Sequence, residues 1–149
     1  MSGEPRLGAG AAILRAGRLL LIRRRGAPEP GAWGLPGGKV DLFETASAAT
    51  EREVFEEVGL AVRATDLLCV VDQIHRDAGE HWFAPVYLVI DPVGEPAILE
   101  PEKHDGLAWF ALSNLPAPLT APTRAAVEAL RQRGFGGEAV SPPSAGGAS

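Results

Sequence analysis

The sequence predicts a single domain that mixes α-helices and β-strands, of the α/β or α+β class. Two segments have helical patterning, at Thr45–Val58 and Ala121–Arg133, and apolar runs of strand length precede and separate them. The chain has 149 residues, of which 46% are hydrophobic and 22% charged, as in ordinary soluble domains. A domain of this length buries roughly 68–70% of its unfolded surface, so it needs no disulfide or structural zinc.

The N-terminal region is predicted to form a strand pair followed by a long loop. Within Ala11–Arg25, two short apolar runs flank Gly17, a residue that favours turns. The next segment, Gly26–Gly38, is rich in proline and glycine and is therefore predicted to be mostly loop.

The segment Thr45–Val58 gives the clearest helix signal. Thr45 is a suitable N-cap, and Gly59 suits the position just past the helix end. At about 100° per residue, several side chains share one helix face. The predicted apolar face consists of Ala48, Val54, Phe55 and Val58.

Two buried strands and a terminal helix are predicted in the second half. The runs Leu67–Ile74 and Phe83–Ile90 are β-branched and aromatic, and the turn residues of Asp77–Glu80 between them favour a hairpin. Trp109 and Phe110 suggest a further short strand. The helix Ala121–Arg133 has Thr120 as a plausible N-cap and Pro122 in its first turn.

The domain boundary is predicted near residue 133. Residues 1–133 contain all the predicted strands and helices, whereas residues 134–149 are rich in Gly, Ser, Pro and Ala. Such a composition cannot bury enough apolar surface to offset its ordering entropy, so residues 134–149 are predicted to be a disordered tail.

Charge and cysteine content exclude several classes of protein. The net charge of −5 argues against a duplex nucleic-acid binder, which normally presents a basic face. Cys69 is the only cysteine, so neither an internal disulfide nor a zinc–thiolate cluster can form, and it is expected to be a small buried residue. No stretch approaches the roughly 18 apolar residues of a membrane span, and the N-terminus is a poor signal peptide. The predicted location is the cytoplasm.

Three glutamates in the first predicted helix project from one strip. Glu53, Glu56 and Glu57 stand at positions i, i+3 and i+4, where like charges repel by a few tenths of a kcal/mol per pair. A solvated acidic face is one interpretation. The other is a divalent-cation site, since Mg²⁺ prefers oxygen ligands and sits between carboxylates and substrate phosphates. Arg52 precedes the strip and can pair with Glu56 or reach back to Glu44.

The wider spacing of these residues resembles the Nudix box, G-x5-E-x7-R-E-U-x-E-E-x-G-U, where U is bulky and aliphatic. Gly38 and Glu44 occupy the first two fixed positions, and the run R-E-V-F-E-E-V-G-L at residues 52–60 matches the remainder. Every defined position agrees, and the box covers 23 of the 149 residues. Many relatives carry glycine just before the first box glutamate, where this chain has Phe43, a difference expected to alter the turn there.

The resemblance implies a fold, a reaction and a cofactor. The fold would be an α/β/α sandwich with a mixed sheet between helices and a loop-helix-loop motif. Nudix enzymes hydrolyse a nucleoside diphosphate linked to a group X, with Mg²⁺ (or Mn²⁺ in its place) on the phosphate oxygens. The metal site implied by the resemblance comprises the Gly38 carbonyl, Glu53, Glu56 and Glu57.

The other box positions and the general base are implied by the same resemblance. Glu56 is either a further ligand or the base that activates water, and Arg52 orients the glutamates. Glu44 would be more structural, paired with Arg52. A glutamate outside the box can also serve as base in this family, which leaves Glu100 and Glu102 open, either as functional groups or as part of a solvated loop. Glu102 is also a candidate for substrate binding.

Several residues outside the box have two open interpretations. Arg24, at the end of a predicted strand, either reaches solvent or contacts a substrate phosphate. Trp33 and Phe43 either fill the core, which is favoured, or stack on a base. The three histidines, His75, His81 and His104, have no metal-ligand spacing and are treated as ordinary.

The residues C-terminal to the box narrow the substrate subtype. The proline that ADP-ribose hydrolases often carry about fifteen residues past the box is missing near His75 and Arg76. The run E-P-E-K at residues 100–103, with Trp109 after it, is similar to MutT-like nucleoside triphosphate diphosphatases, some of which act on oxidised nucleotides. The alternatives are an ADP-ribose or nucleotide-sugar diphosphatase, and a nucleotide-sensing Nudix module without catalysis. Many relatives are homodimers, so a dimer is a further possibility.

Overall fold

One mixed β-sheet lies between two α-helices in this computed structural model, which describes residues 3–137. The elements are β1 (Arg6–Arg15), β2 (Arg18–Arg24), β3 (Trp33–Gly34), β4 (Gly37–Lys39), α1 (Ala46–Val58), β5 (Asp66–His75), β6 (Glu80–Ile90), β7 (His104–Ala111) and α2 (Ala121–Gln132). The strand order is β3-β2-β1-β6-β5, with β4 also paired to β1 and β7 to β2. Only the β1–β6 pair is parallel among the described strands. The predicted α/β/α sandwich is confirmed.

The core lies on both faces of the central strands because their apolar runs are continuous. In β2, Leu20 and Ile22 pack on the α1 side, whereas Leu19 and Leu21 pack on the α2 side. Successive strand side chains point to opposite faces, so a run without polar interruption must be covered twice. Helix α1 covers one face and α2 the other, which places the Nudix-box helix against β1 and β4.

Both helices begin where the sequence predicts. The Thr45 hydroxyl accepts a hydrogen bond from Ala48 N at 3.0 Å, and Gly59 ends α1 in the left-handed conformation with φ 78°. Thr120 caps α2 in the same way, with proline in its first turn. These caps depend on neighbouring residues alone, which explains their agreement with the sequence.

The predicted apolar face of α1 is wrong, because the buried face is rotated from it by part of a helical turn. Phe55 is 57% exposed and Ala48 is also exposed, whereas Glu57 is only 8% exposed. On the helix, Glu57 lies about 60° from Val54 and Phe55 about 100° on the other side. The sheet therefore covers the side of the helix that carries Glu57, and a carboxylate is buried where hydrophobicity alone favours the phenyl ring.

The loop predicted over Gly26–Gly38 contains two short strands. β3 pairs with β2, and β4 pairs with β1 through Gly38 opposite Ala9 and Gly37 opposite Gly10. A Cβ on Gly37 would lie 2.6 Å from the Gly10 Cα, so the strands approach closely because side chains are missing. The hairpin of β5 and β6 is confirmed, and β7 is longer than the predicted strand around Trp109.

The C-terminal end and Cys69 differ from the sequence-based expectation. Phe135 packs against the core cluster on the α2 side, beyond the predicted boundary at residue 133. The rest of the predicted tail, residues 138–149, lies outside the described residues, so its disorder stays a prediction. Cys69 is partly exposed rather than buried. Within residues 3–137, every helix is too short or too polar to span a membrane.

The turn before α1 holds a strained residue. Phe43 has φ 70° and is 97% exposed, so it neither fills the core nor packs on another side chain. A left-handed backbone costs an L-residue with a Cβ roughly 1–2 kcal/mol, which is why glycine is favoured at such a position.

Replacing Phe43 with glycine is expected to stabilise the protein by about 0.5–1 kcal/mol, because the relief of strain exceeds the extra entropy of glycine in the unfolded chain. Thermal unfolding should then shift upward by roughly 1–4 °C. Phe43→Ala is the matched control, since it removes the ring but keeps the strained Cβ. An equal gain from the alanine variant would attribute the effect to the exposed ring instead of the backbone.

Candidate active site

Arg52 is the centre of the polar network on α1. Its guanidinium donates to both carboxylate oxygens of Glu44, at 2.7 and 2.9 Å, and to the Lys39 carbonyl at 3.0 Å. It also donates to Glu53 at 3.1 Å and to Glu56 at 3.2 Å. The geometry therefore supports the orienting role proposed for Arg52 and the structural role proposed for Glu44.

The Glu44 carboxylate is held in its ionised form. Arg52, and then the backbone N–H of Asp41, lower the pKa of Glu44 to about 2. A fork of two parallel hydrogen bonds fixes orientation as well as charge, which a lysine in place of Arg52 could not do. The Glu44–Arg52 pair thus joins the loop before α1 to the middle of the helix.

Glu57 is the buried member of the carboxylate strip. Its Oε1 accepts a hydrogen bond from Gly37 N at 2.9 Å, and its Oε2 lies 3.9 Å from His104 Nε2. Burial raises the pKa of Glu57 to about 8, and the neighbouring charges of Glu53 and Glu100 act in the same direction. A buried carboxyl without a cationic partner is costly to ionise, so the neutral form is favoured unless a cation lies beside it.

Glu53 lies against the glycine strand β4. A Cβ on Gly38 would come within 2.6 Å of the carboxylate atoms of Glu53, so only glycine leaves room for this side chain. Burial raises the pKa of Glu53, and its hydrogen bond from Arg52 opposes that shift. The adjacency of Gly38 and Glu53, which the sequence alone implied only by resemblance, is present in the structure.

The donor set fits a hard divalent cation. Carboxylates from one helix strip and a nearby backbone carbonyl are the oxygen ligands that Mg²⁺ and Mn²⁺ prefer. Within residues 3–137, however, no three Asp, Glu, His or Cys side chains are already gathered at metal-binding distances. Arg52 pairs with Glu53 and Glu56 while Gly37 holds Glu57, so binding a cation would require side-chain rotation and proton release from Glu57.

A cavity of about 370 Å³ opens beside Glu57. Its wall includes the glycine-rich segments of β1 and β4, which bring backbone close to the cavity because they carry no side chains. The charged and polar lining residues are Arg24, Glu29, Lys39, Glu57, Gln73, Glu80, His104 and Thr120. The volume is within the range of small-molecule sites, and the buried titratable group of Glu57 is part of the cavity wall.

The candidate functional residues outside the box differ in whether they line the cavity. Arg24 lines the cavity, and its guanidinium donates to the Ala27 carbonyl at 2.9 Å. Glu102 is exposed and is not among the cavity-lining residues, so its role in substrate binding stays a prediction without structural support. Glu100 is close enough for its charge to act on Glu57 and pairs with Lys103 at 3.7 Å.

Sequence reasoning missed several of the residues that line the cavity. Gln73 donates to Glu29 at 2.9 Å across the cavity wall, Trp82 also lines it, and His104 is buried beside Glu57. His104 pairs in register with Arg24 across β7 and β2, next to a β-bulge. No local spacing reports such a cross-strand pair, because the register depends on how two distant segments align.

The raised pKa of Glu57 predicts how the stability of the metal-free protein depends on pH. The protonated carboxyl is favoured in the folded state, so its stabilisation is complete below the ordinary value of 4.5 and is lost as pH rises through about 8. The pKa of His104 is lowered by burial, so its contribution is complete above its ordinary value of 6.5. Between pH 6.5 and 8.5, we expect a loss of about 2 kcal/mol, or roughly 4–8 °C in Tm, in EDTA. Glu57→Gln should flatten this dependence, and an equally steep curve in that variant would assign it to another group.

The fold and the site together define a recognisable class of protein. A mixed sheet between two helices carries a loop-helix-loop in which Arg52 donates hydrogen bonds to Glu44 and Glu53, and Glu53 lies beside a glycine strand. That class is the MutT-like Nudix hydrolases. The family model described as NUDIX domain matches residues 4–130, and the chain therefore belongs to the Nudix family.

Relatives and solved structures agree with this assignment. A solved MutT NUDIX hydrolase from Burkholderia pseudomallei is 56% identical with a TM-score of 0.83, covering 85% of this chain and 98% of that one. An ADP-ribose pyrophosphatase from Methanocaldococcus jannaschii is 32% identical over 76% of this chain and 66% of that protein. A putative 8-oxo-dGTP diphosphatase 2 from Mycobacterium tuberculosis is 36% identical over 70% of this chain and 72% of that protein. The chain thus spans slightly less than two thirds of the archaeal relative.

Proposed function

We propose that this protein hydrolyses a nucleoside triphosphate, including oxidised or other non-standard forms, to the monophosphate and pyrophosphate. One observation carries the proposal: the cavity is lined by Glu57, the buried carboxyl of a Nudix box whose defined positions are all present. A largely apolar cavity with a few charged side chains and a perturbed carboxyl in its wall is the arrangement expected of a hydrolytic site.

The box residues have distinct tasks in this proposal. Glu53, Glu57 and the Gly38 carbonyl would hold one or more divalent cations, Mg²⁺ or Mn²⁺, and Glu56 would be either a further ligand or the base. Such a cation, when bound, neutralises phosphate charge and lowers the pKa of coordinated water. Arg52 keeps Glu53 and Glu56 in orientation through the hydrogen bonds that it donates to them.

Proton transfer is assigned to Glu56. Its side chain is 49% exposed, so water can reach it, and Arg52 Nη1 holds it at 3.2 Å. A base must lie within hydrogen-bond reach of the water it deprotonates, and Glu56 is the most accessible glutamate of the strip. Glu100 is the second candidate for the base, because its charge acts on Glu57 from outside the box.

The positive residues in the cavity suit a polyphosphate. Arg24 and Lys39 line the same cavity as Glu57, whereas Glu53 and Glu56 are not among its lining residues, so a phosphate chain would lie between these cationic side chains and Glu57. The triphosphate subtype is also supported by the M. tuberculosis relative, which is named as a putative 8-oxo-dGTP diphosphatase.

An ADP-ribose or nucleotide-sugar diphosphatase is the second candidate. A second cavity of about 640 Å³ shares Ala27, Pro28 and Glu80 with the first and would accommodate a larger group X. The archaeal relative named ADP-ribose pyrophosphatase favours the same alternative. A Nudix module that senses nucleotides without cleaving them is disfavoured by the complete box. A cytoplasmic location and a homodimer stay predictions.

A substrate panel tests these candidates. The protein is incubated with Mg²⁺ and nucleoside triphosphates, oxidised triphosphates, ADP-ribose or nucleotide sugars, with pyrophosphate, phosphate and monophosphate measured separately. Pyrophosphate from one triphosphate far above the rest would support the proposal. Cleavage of ADP-ribose or a nucleotide sugar alone would favour the second candidate. No cleavage, with a nucleotide still raising Tm, would favour the sensing module.

A further inference from the structure

His104 is a buried polar residue that the proposed reaction does not yet use. It is the first residue of β7 and is 4% exposed, yet it lines the cavity together with Glu57. Its Nε2 lies 3.9 Å from Glu57 Oε2, and its Nδ1 has no hydrogen-bond partner among residues 3–137. Buried polar atoms are nearly always paired, so an unpaired ring in this place calls for a physical reason.

The cross-strand geometry explains how the ring reaches Glu57. His104 stands opposite Arg24, and the β2–β7 register shifts between Arg23 and Arg24. A bulge of this kind re-aims side chains and is common beside functional sites. The shift occurs where β2 and β7 reach the cavity, so the imidazole is placed beside the carboxyl of α1 by two elements distant in sequence.

The contact also selects a tautomer of His104. With the proton on Nε2, an N–H faces the Glu57 carboxylate, and only a lone pair on Nδ1 lacks a partner. When Glu57 is ionised to hold a cation, a proton on Nδ1 would leave a buried N–H donor without a partner and set two lone pairs against each other across 3.9 Å. An orphaned donor is rarer than an orphaned acceptor, so the Nε2–H form is favoured.

We propose that His104 is a positioning residue for Glu57, donating from Nε2–H to Oε2 when the carboxylate turns to bind a cation. Gly37 N already holds Oε1, so the two donors together would fix the plane of the carboxylate. At 3.9 Å the Nε2 atom is beyond hydrogen-bond range, and a small rotation of either side chain closes the gap. This inference rests on the proposed metal site. Groups that orient metal ligands in this way typically change metal affinity or activity about 10–100-fold.

Two amide substitutions at His104 distinguish the role of Nε2 from that of Nδ1. In His104→Gln the side-chain amide nitrogen can reach the place of Nε2, whereas in His104→Asn it corresponds to Nδ1. Mn²⁺ binding is measured directly by electron paramagnetic resonance, with Tm in EDTA as the measure of folding. We expect the asparagine variant to bind Mn²⁺ about 10–100-fold more weakly and the glutamine variant to stay within about threefold of wild type.

The outcomes separate this inference from the proposed function. Mn²⁺ affinity in the asparagine variant equal to wild type would overturn the positioning role and leave the metal site intact. Equal weakening in both variants, together with equal loss of Tm, would assign His104 a purely structural role and also overturn it. A wild-type protein that binds no more Mn²⁺ than Glu57→Gln would overturn the metal site and, with it, this inference.

Discussion

Replacing Glu57 with glutamine is expected to lower kcat on the order of 1,000-fold and to leave the metal-free fold intact. Glutamine has the same shape, and its carbonyl can still accept the hydrogen bond that Gly37 N donates at 2.9 Å. The substitution removes the negative charge that is proposed to hold a cation. Since burial raises the pKa of Glu57 to about 8, removing the charge relieves a folding cost instead of adding one. Steady-state kinetics with Mg²⁺ and thermal unfolding in EDTA check the two halves of this expectation.

A glutamate on the same helix supplies the matched control. Glu51 lies outside the carboxylate strip, where it accepts a hydrogen bond from Ala64 N at 2.7 Å. Glu51→Gln makes the same chemical change on the same helix, so kcat should stay within about twofold of wild type. An unchanged kcat in Glu57→Gln would remove Glu57 from the metal site, and a large fall in its Tm in EDTA would show that its charge stabilises the fold.

The features predicted correctly from the sequence are those set by neighbouring residues. Thr45 and Gly59 bound α1 through hydrogen bonds within one or two turns, and the Nudix spacing places Arg52 within reach of Glu44. The turn at Ala16 and Gly17 is formed by left-handed backbone at both residues. Each of these depends on chain positions close together, so their physics is present in the local sequence.

The features that were missed depend on the packing of distant segments. Hydrophobicity favours Phe55 as the buried residue of α1, but the strands behind the helix instead cover Glu57. His104 gains its place only from the β2–β7 register, which no pattern in residues 104–111 reports. The same limit applies to Gly37 and Gly38. Glycine usually indicates a loop, so the sequence predicts loop for both residues, whereas in the structure they pair with β1.

Replacing Gly38 with alanine is expected to lower kcat/KM at least about 100-fold with little loss of stability. The added Cβ would come within 2.6 Å of the Glu53 carboxylate, closer than real Cβ contacts allow. The atoms that must move are the far end of a flexible side chain, so the clash is relieved by displacing Glu53. The same movement takes a proposed ligand away from the cation. Mn²⁺ affinity should fall in parallel with kcat/KM, while Tm in EDTA should change by no more than a few degrees.

Two other glycines isolate the cause of that loss. Gly26 has open space around its Cβ position and no positive φ, so Gly26→Ala should match wild type in both activity and Tm. At Gly37 the added Cβ would meet the backbone of Ala9 and Gly10, which cannot swing aside without separating β4 from β1. Gly37→Ala should therefore lose stability first, by about 2 kcal/mol or more. Alanine at these two adjacent positions of β4 is thus expected to act differently: Gly38→Ala lowers activity, whereas Gly37→Ala lowers stability. The contrary result is a Gly38→Ala variant that lowers Tm in EDTA as much as Gly37→Ala does, while keeping the Mn²⁺ affinity of wild type. That result would make the Gly38–Glu53 contact structural and would remove Glu53 from the proposed ligands.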